Sequence, residues 1–134
     1  MMNLDLEAAR ASHKLIEETS KDIVGAENNN RRKPTKNEVE NLITKTLGVL
    51  QENGIYGCIR YLDSRTNKAE KAIGSQIKIR LIQITKDNIR PDGSDNVYDY
   101  LEKEICSDLD RLILTKQLWE QTLTYARYGA KARE

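Results

Sequence analysis

Apolar residues recur at every third or fourth position along most of this chain, and that period limits the fold more than any other feature. The clearest stretch follows Thr35-Lys36-Asn37-Glu38, which matches a capping box, where Thr and Glu side chains satisfy the first unpaired N–H groups of a helix. One face of the helix behind it then carries Val39, Leu42, Ile43, Thr46, Leu47 and Leu50. Because the other segments share this spacing, the sequence predicts an all-α fold, a compact bundle of five to six helices.

Breaks in the pattern set the predicted helix boundaries. Gly25 ends the first helix, which runs from Leu4 to Ile23, and Asn53-Gly54 ends the second. A basic loop at 28–36 and a second loop at 87–96, which contains a Pro-Asp-Gly turn signal, separate the apolar stretches. The remaining predicted helices span 55–62, 69–84 and 97 to the C-terminus, the last with a bend near Ser107. All of them belong to one predicted helical domain, residues 1–134.

The sequence lacks the side chains that most catalytic and metal sites need. A Ser–His or Cys–His pair requires a histidine, and the chain has only His13, off the apolar face of the first helix. Cys58 and Cys106 stand 48 positions apart, without the CxxC spacing of a zinc site. Residues 92–103 begin like a calcium loop but have Lys103 where a bidentate Glu is needed. We therefore expect no enzyme, no metal and no cofactor.

The sequence predicts no membrane segment. No apolar run reaches the roughly 18–20 residues that cross a bilayer. The opening stretch MMNLDLEAAR lacks the apolar core of a signal peptide. We therefore expect a cytoplasmic protein without a membrane partner.

Charge is segregated along the chain, although the net charge is only +1. Residues 31–90 hold 13 basic and 6 acidic side chains, whereas residues 91–120 hold 3 basic and 8 acidic ones. Such asymmetry indicates a polyanion on one surface and a basic partner, such as the next copy, on another. The alternative is that solvated helix faces simply differ in charge.

The predicted fourth helix carries a row of lysines. At 100° per residue, Lys68, Lys71, Lys78 and Lys86 fall within about 80° of one another, so they could track a phosphate backbone. Ile79 and Ile82 lie on the same side. Apolar residues among lysines indicate a helix buried on both sides, or a surface that meets another copy or a nucleic acid.

The last helix also has a second row beside its core face. That row consists of Leu114, Leu118, Tyr125 and Tyr128. It indicates either a helix packed on both sides or a partner seam. Arg127, Lys131 and Arg133 give the helix a basic end, which also complements the helix dipole.

Two segments carry a resemblance to a known family. Residues 50–62, LQENGIYGCIRYL, combine a helix, an Asn-Gly break and a short helix that ends in an apolar pair. Residues 123–132, LTYARYGAKA, carry an aromatic–basic–aromatic–Ala pattern. With the chain length and helical layout, they resemble the small subunit of the type III-B CRISPR effector, the Cmr complex. Members of that family often have Trp or Phe where this chain has Tyr125 and Tyr128.

The resemblance implies a non-catalytic RNA-binding scaffold of antiviral defence. In that family several small subunits stack head to tail beside the backbone subunits, and their basic faces contact the sugar-phosphate backbone of guide and target RNA. Sequence is then read by base pairing. The implied partners are RNA, further copies of the chain, and the backbone and large subunits of the effector complex.

Under this hypothesis two sets of residues are assigned. The predicted nucleic-acid-binding residues are Arg31, Arg32, Lys33, Lys68, Lys71, Lys78, Lys86, Arg127 and Lys131. The predicted self-association residues are Ile79, Ile82, Tyr125 and Tyr128. Two alternatives stay open: a helical protein–protein adaptor without nucleic acid, and a small DNA-binding regulator that uses residues 44–62 as a helix-turn-helix.

Overall fold

The computed structural model describes residues 3–21, 23–24, 31–91 and 96–133 of the chain. Its elements are, in order, α1 (Leu4–Thr19), β1 (Ile23–Val24), β2 (Arg31–Arg32), α2 (Lys36–Asp63), α3 (Lys68–Asn88), α4 (Val97–Tyr100), a π-helical turn (Leu101–Ile105) and α5 (Leu109–Ala132). The prediction of a compact all-α bundle is confirmed. Within the described residues, the β structure is limited to the antiparallel pairing of β1 with β2, where Ile23 lies opposite Arg32.

Capping side chains define where the helices begin. Thr35 and Glu38 form the predicted capping box: the Thr35 N–H donates to Glu38 Oε1 at 2.9 Å, and the Glu38 N–H donates to Thr35 Oγ1 at 3.1 Å. At the starts of α3 and α5, the Asn67 and Asp108 side chains likewise accept hydrogen bonds from backbone N–H groups. Each cap satisfies donors that have no partner inside the helix.

The predicted break at Asn53-Gly54 is found as a sharp kink in α2. Gly54 has φ 79° and ψ −173°, a left-handed conformation that only glycine adopts at little cost. The two halves of α2 then meet the same point on α3. A Cβ built on Gly74 would lie 3.6 Å from Leu62 Cδ2 and 3.7 Å from Leu42 Cδ2. The kink therefore brings both ends of α2 beside the first half of α3.

The long helices surround one core. Both α1 and α2 pack against α3 and against α5, whereas α3 and α5 share few contacts and so lie diagonally opposite. The indole of Trp119 on α5 is fully buried and reaches across the centre, where its Nε1–H donates to Thr85 Oγ1 on α3 at 2.8 Å. The Thr85 hydroxyl in turn donates to the Leu81 carbonyl at 2.7 Å. This buried pair joins the two diagonal helices.

The predicted extent of the first helix is wrong at its C-terminal end. The helix stops at Thr19, and Ile23 lies in β1. The hydroxyl groups of Thr19 and Ser20 donate to the Leu15 and Ile16 carbonyls, at 2.9 and 2.7 Å. Because hydroxyls that bond to backbone in this way compete with helical bonds, and Ile-Val pairs favour extended chain, the helix ends here. The predicted stop at Gly25 lies outside the described residues.

The predicted bend near Ser107 is found as a break between the π-helical turn and α5. The Cys106 N–H donates to the Leu101 carbonyl at 2.7 Å, the wider spacing of a π-helix. The wider turn and the break change the direction in which the following side chains point. Leu109, the first residue of α5, is 69 % exposed.

Candidate nucleic-acid interface

Two tyrosine–arginine pairs lie at the C-terminal end of α2. Tyr56 and Arg60 are neighbours on the helix surface, whereas Arg65 lies beyond the helix end at Asp63 and contacts Tyr61 from there. The Arg60 guanidinium carbon lies 5.7 Å from the centre of the Tyr56 ring. The Arg65 carbon lies 4.0 Å from the centre of the Tyr61 ring. Both distances are within the range of cation–π attraction, which holds each arginine against a flat aromatic surface.

A third tyrosine, Tyr98 of α4, joins the first pair. The Arg60 carbon lies 4.5 Å from its ring centre, and the Tyr56 and Tyr98 rings are 5.2 Å apart. The hydrogen bond with Tyr56 and the neighbouring Tyr98 raise the pKa of Arg60 above its ordinary value. Burial and a hydrogen bond to Asp63 raise the pKa of Tyr98 to about 12, so its hydroxyl stays protonated.

Asp63, the last residue of α2, connects this cluster to the lysine row. Its two carboxylate oxygens accept hydrogen bonds from Lys78 Nζ at 2.9 and 3.1 Å, and one of them also accepts from the Tyr98 hydroxyl. Lys78 Nζ lies 5.8 Å from the centre of the Tyr98 ring. One acidic side chain therefore fixes α2, α3 and α4 relative to one another.

The first half of α3 continues this surface. Lys68 and Lys71 are exposed beside the cap residue Asn67. Lys71, Ser75 and Lys78 line a hollow of about 220 Å³ together with Arg65. We call the following set the aromatic–basic interface: Tyr56, Arg60, Tyr61, Arg65, Lys68, Lys71, Lys78 and Tyr98.

The predicted basic loop reaches the same side of the molecule. Ser75 also lines a second hollow, of about 340 Å³, whose other wall includes Lys21 and Pro34. Lys33, which precedes Pro34, is exposed. Arg31 and Arg32 form β2 just before it. The structure therefore brings Lys33 and Pro34 to the edge of the aromatic–basic interface, whereas residues 28–30 of the predicted loop lie outside the described part of the chain.

The basic end of α5 approaches this loop. Arg133 Nη2 donates to the Pro34 carbonyl at 2.6 Å. Lys131 is exposed, with its Nζ 3.9 Å from Glu40 Oε1 at the start of α2. Arg127 is half-buried and its Nε is enclosed. Of the two predicted binding residues here, Arg127 and Lys131, only Lys131 is exposed.

The lysines of the row predicted on α3 have different environments. Lys68 and Lys71 are exposed, whereas Lys78 is paired with Asp63 and Lys86 is half-buried. Lys86 Nζ lies 5.4 Å from the centre of the Tyr100 ring. The segment that begins with α4 therefore covers the second half of the row.

The acidic stretch at 91–120, predicted to dock on a basic partner, meets a basic group of its own chain. Arg90 Nε lies 2.9 Å from Glu104 Oε2.

The predicted self-association residues have different environments. Ile79 is 44 % exposed on α3, and Tyr128 is 60 % exposed on α5. The half-buried Tyr125 donates its hydroxyl to the Asp5 carboxylate of α1. Ile82 is only 7 % exposed, which agrees with the alternative that α3 is buried on both sides at this point. It lies one turn from both Lys78 and Lys86, which contact the rings of Tyr98 and Tyr100.

Sequence reasoning missed the aromatic half of the interface. A local signal existed, because YGCIRYLDSR contains two consecutive Tyr-x-x-x-Arg spacings, at 56–60 and 61–65. On a helix this spacing places the ring and the guanidinium side by side. No local pattern could have indicated Tyr98, which comes from a different helix 35 residues after Asp63.

Metal-binding groups, membrane-spanning helices and similar proteins were also considered. Among the residues that the structure describes, no three His, Cys, Asp or Glu side chains are grouped where they could hold a metal ion. In that same part of the chain, no helix has the length and apolar character to cross a bilayer. No protein-family model, curated protein or solved structure matches the chain.

Proposed function

We propose that this chain is a non-catalytic small subunit of a CRISPR RNA-guided type III (Cmr-like) effector complex, and that it binds the guide or target RNA backbone in cytoplasmic antiviral defence. One observation carries the proposal: basic side chains and tyrosine rings from α2, α3 and α4 converge on one surface, the aromatic–basic interface. Proteins that bind single-stranded nucleic acid combine these two kinds of side chain.

The charge of this interface suits a polyanion. Its five basic side chains are Arg60, Arg65, Lys68, Lys71 and Lys78, and Asp63 is already engaged by Lys78. Phosphates along an RNA strand can bind several such cations at once, and each contact releases condensed counterions. Contacts of this kind position a strand without reading its sequence. They suit a subunit of a complex in which base pairing supplies specificity.

Stacking of several copies is supported by the placement of exposed apolar side chains. Ile79 lies on α3, whereas Leu109, Ile113 and Tyr128 lie on α5, and these two helices are diagonally opposite. The apolar surfaces therefore point to different sides of the molecule. When one face of a subunit binds a different face of the next, the contact is heterologous and produces a ring or a filament. The proposed stack places α3 of one copy against α5 of the next.

Binding to single-stranded RNA tests the nucleic-acid part of the proposal. We expect the double variant Lys68→Gln/Lys71→Gln to bind about tenfold more weakly than the unaltered chain in fluorescence anisotropy at low salt, since it loses two phosphate contacts. The loss should be similar for RNA strands of different sequence.

Lys14→Gln/Lys103→Gln is the matched control, because it removes two exposed charges outside the aromatic–basic interface. We expect its affinity for RNA to equal that of the unaltered chain within about twofold. If the unaltered chain binds no RNA, or if both double variants lose affinity equally, the assignment is wrong. A helical protein–protein adaptor without nucleic acid then becomes the better explanation.

A further inference from the structure

A hollow of about 560 Å³ lies on the surface of α2, on both sides of the kink. It is lined by Val49, Asn53, Gly57, Arg60, Tyr61, Asp63 and Ser64. A Cβ on Gly57 would lie 2.8 Å from Asn53 Cβ, so the Asn53 side chain packs directly against the Gly57 backbone. The Asp63 carboxylate in this wall is already engaged by Lys78 and the Tyr98 hydroxyl.

Tyr61 lies between two hollows of different character. It lines the hollow beside Gly57. Arg65 lines the neighbouring hollow with Lys71 and Lys78. The Arg65 guanidinium carbon lies 4.0 Å from the Tyr61 ring centre. An aromatic wall is thus adjacent to a group of cations. The Arg65 guanidinium is held in place by Ser64, whose hydroxyl accepts from Arg65 Nη2 at 3.0 Å.

We propose that the hollow beside Gly57 holds an unpaired nucleobase of an RNA strand, stacked on Tyr61, while the phosphates of the same strand bind Arg65 and Lys71. This inference rests on the proposed RNA-binding function and adds base contacts to it. A nucleobase is flat, so it can stack on an aromatic ring. The amide of Asn53 offers both donors and an acceptor to a base edge.

The adjacent cations decide between occupants of the hollow. An apolar peptide or an acyl chain would gain nothing from Arg65, Lys71 and Lys78, whereas each nucleotide carries a phosphate close to its base. Stacking on an aromatic side chain tolerates any base. The site therefore binds unpaired nucleotides without selecting a sequence, and it favours a single strand over a duplex.

A fluorescent base reports on this site directly. The probe is a short single-stranded RNA that contains 2-aminopurine, whose fluorescence falls when the base stacks on a ring. We expect quenching on binding to the unaltered chain and to Tyr61→Phe, which keeps the ring. Tyr61→Leu keeps an apolar side chain but loses the ring, so it should abolish the quenching and weaken binding of this RNA about tenfold. Thermal unfolding of both variants checks that they are folded.

The same strand with abasic sites separates this inference from the proposed function. We expect the unaltered chain to bind abasic RNA about tenfold more weakly, with no further loss in Tyr61→Leu. If both strands bind equally well and 2-aminopurine is not quenched, the base site is refuted while phosphate binding stands. If neither strand binds, the proposed function fails together with it.

Discussion

The two diagonal helices, α3 and α5, share one core but present different side chains to solvent. The outer face of α3 begins with Lys68, Lys71 and Ser75 before reaching Ile79, and tyrosines from α2 and α4 lie beside it. The outer face of α5 carries larger apolar side chains, Leu109, Ile113 and Tyr128, with the charged Glu120 and Lys131 among them. Under the proposed function, the α3 face meets the polyanion and the α5 face meets another protein surface.

This contrast also explains why a net charge of +1 conceals the surface chemistry. Cations concentrate at the α2–α3 end, and the acidic stretch is partly used inside the molecule, where Glu104 pairs with Arg90. A surface that attracts RNA can therefore exist on a nearly neutral chain.

The largest expected effect comes from two isoleucines of α3 that differ in burial. Ile82→Glu replaces an apolar side chain that is 7 % exposed and should lower the free energy of unfolding by about 1.5–3 kcal/mol, because the burial of that side chain is lost. Ile79→Glu makes the same change at an exposed position and should alter it by less than about 0.5 kcal/mol. Urea unfolding followed by circular dichroism measures both. Equal destabilisation by the two substitutions would mean that α3 does not face the core as described.

The next effect concerns the hydrogen bond that joins the two helices. Thr85→Val removes the acceptor of the buried Trp119 N–H and should lower the free energy of unfolding by about 1–3 kcal/mol. Thr124→Val is the matched control, since its half-buried hydroxyl only donates to the Glu120 carbonyl of its own helix. A control variant as unstable as Thr85→Val would show that the cross-core bond is unimportant.

The proposed head-to-tail contact predicts a complementary pair of variants. Ile79→Glu alters the α3 face and Ile113→Glu the α5 face, so each should weaken self-association by about tenfold. A mixture of the two retains one intact α3 face and one intact α5 face and should form one-to-one pairs. Native mass spectrometry measures these species. A mixture that behaves like either variant alone would contradict contact between unlike faces.

The smallest effect is chemical and leaves stability unchanged. Cys58 is fully buried in α2, and burial raises the pKa of its thiol to about 12. Cys106 is exposed in the break before α5, although partial burial and nearby Glu102 raise its pKa as well. Since thiolates are the reactive form, a thiol reagent at pH 8 should modify Cys106 in the folded protein and both residues only after unfolding. Rapid modification of both in the folded protein would mean that the α2 core opens readily.

The helices were predictable because their signals are local. The Thr35–Glu38 capping box, the Gly54 break and the bend near Ser107 each depend on residues close in sequence. The first half of the lysine row was predictable for the same reason, since helical period alone places Lys68 and Lys71 on one face.

The features of the fold and the interface that the sequence did not predict depend on contacts between distant segments. Period alone cannot show that Lys86 meets the Tyr100 ring, because that contact follows from the course of the chain after α3. Tyr98 joins Arg60 for the same reason. The wider π-helical turn changed the facing of Leu109, and no residue in the sequence marks such a turn.

The salt dependence of RNA binding tests the central claim most directly. For the unaltered chain, the logarithm of the affinity should fall linearly with the logarithm of the salt concentration. For Lys68→Gln/Lys71→Gln the slope should be smaller in magnitude by about 1.4, since each lost phosphate contact on a single strand contributes about 0.7. The control Lys14→Gln/Lys103→Gln should keep the slope of the unaltered chain. Identical slopes for all three proteins would contradict the claim that the aromatic–basic interface binds RNA phosphates.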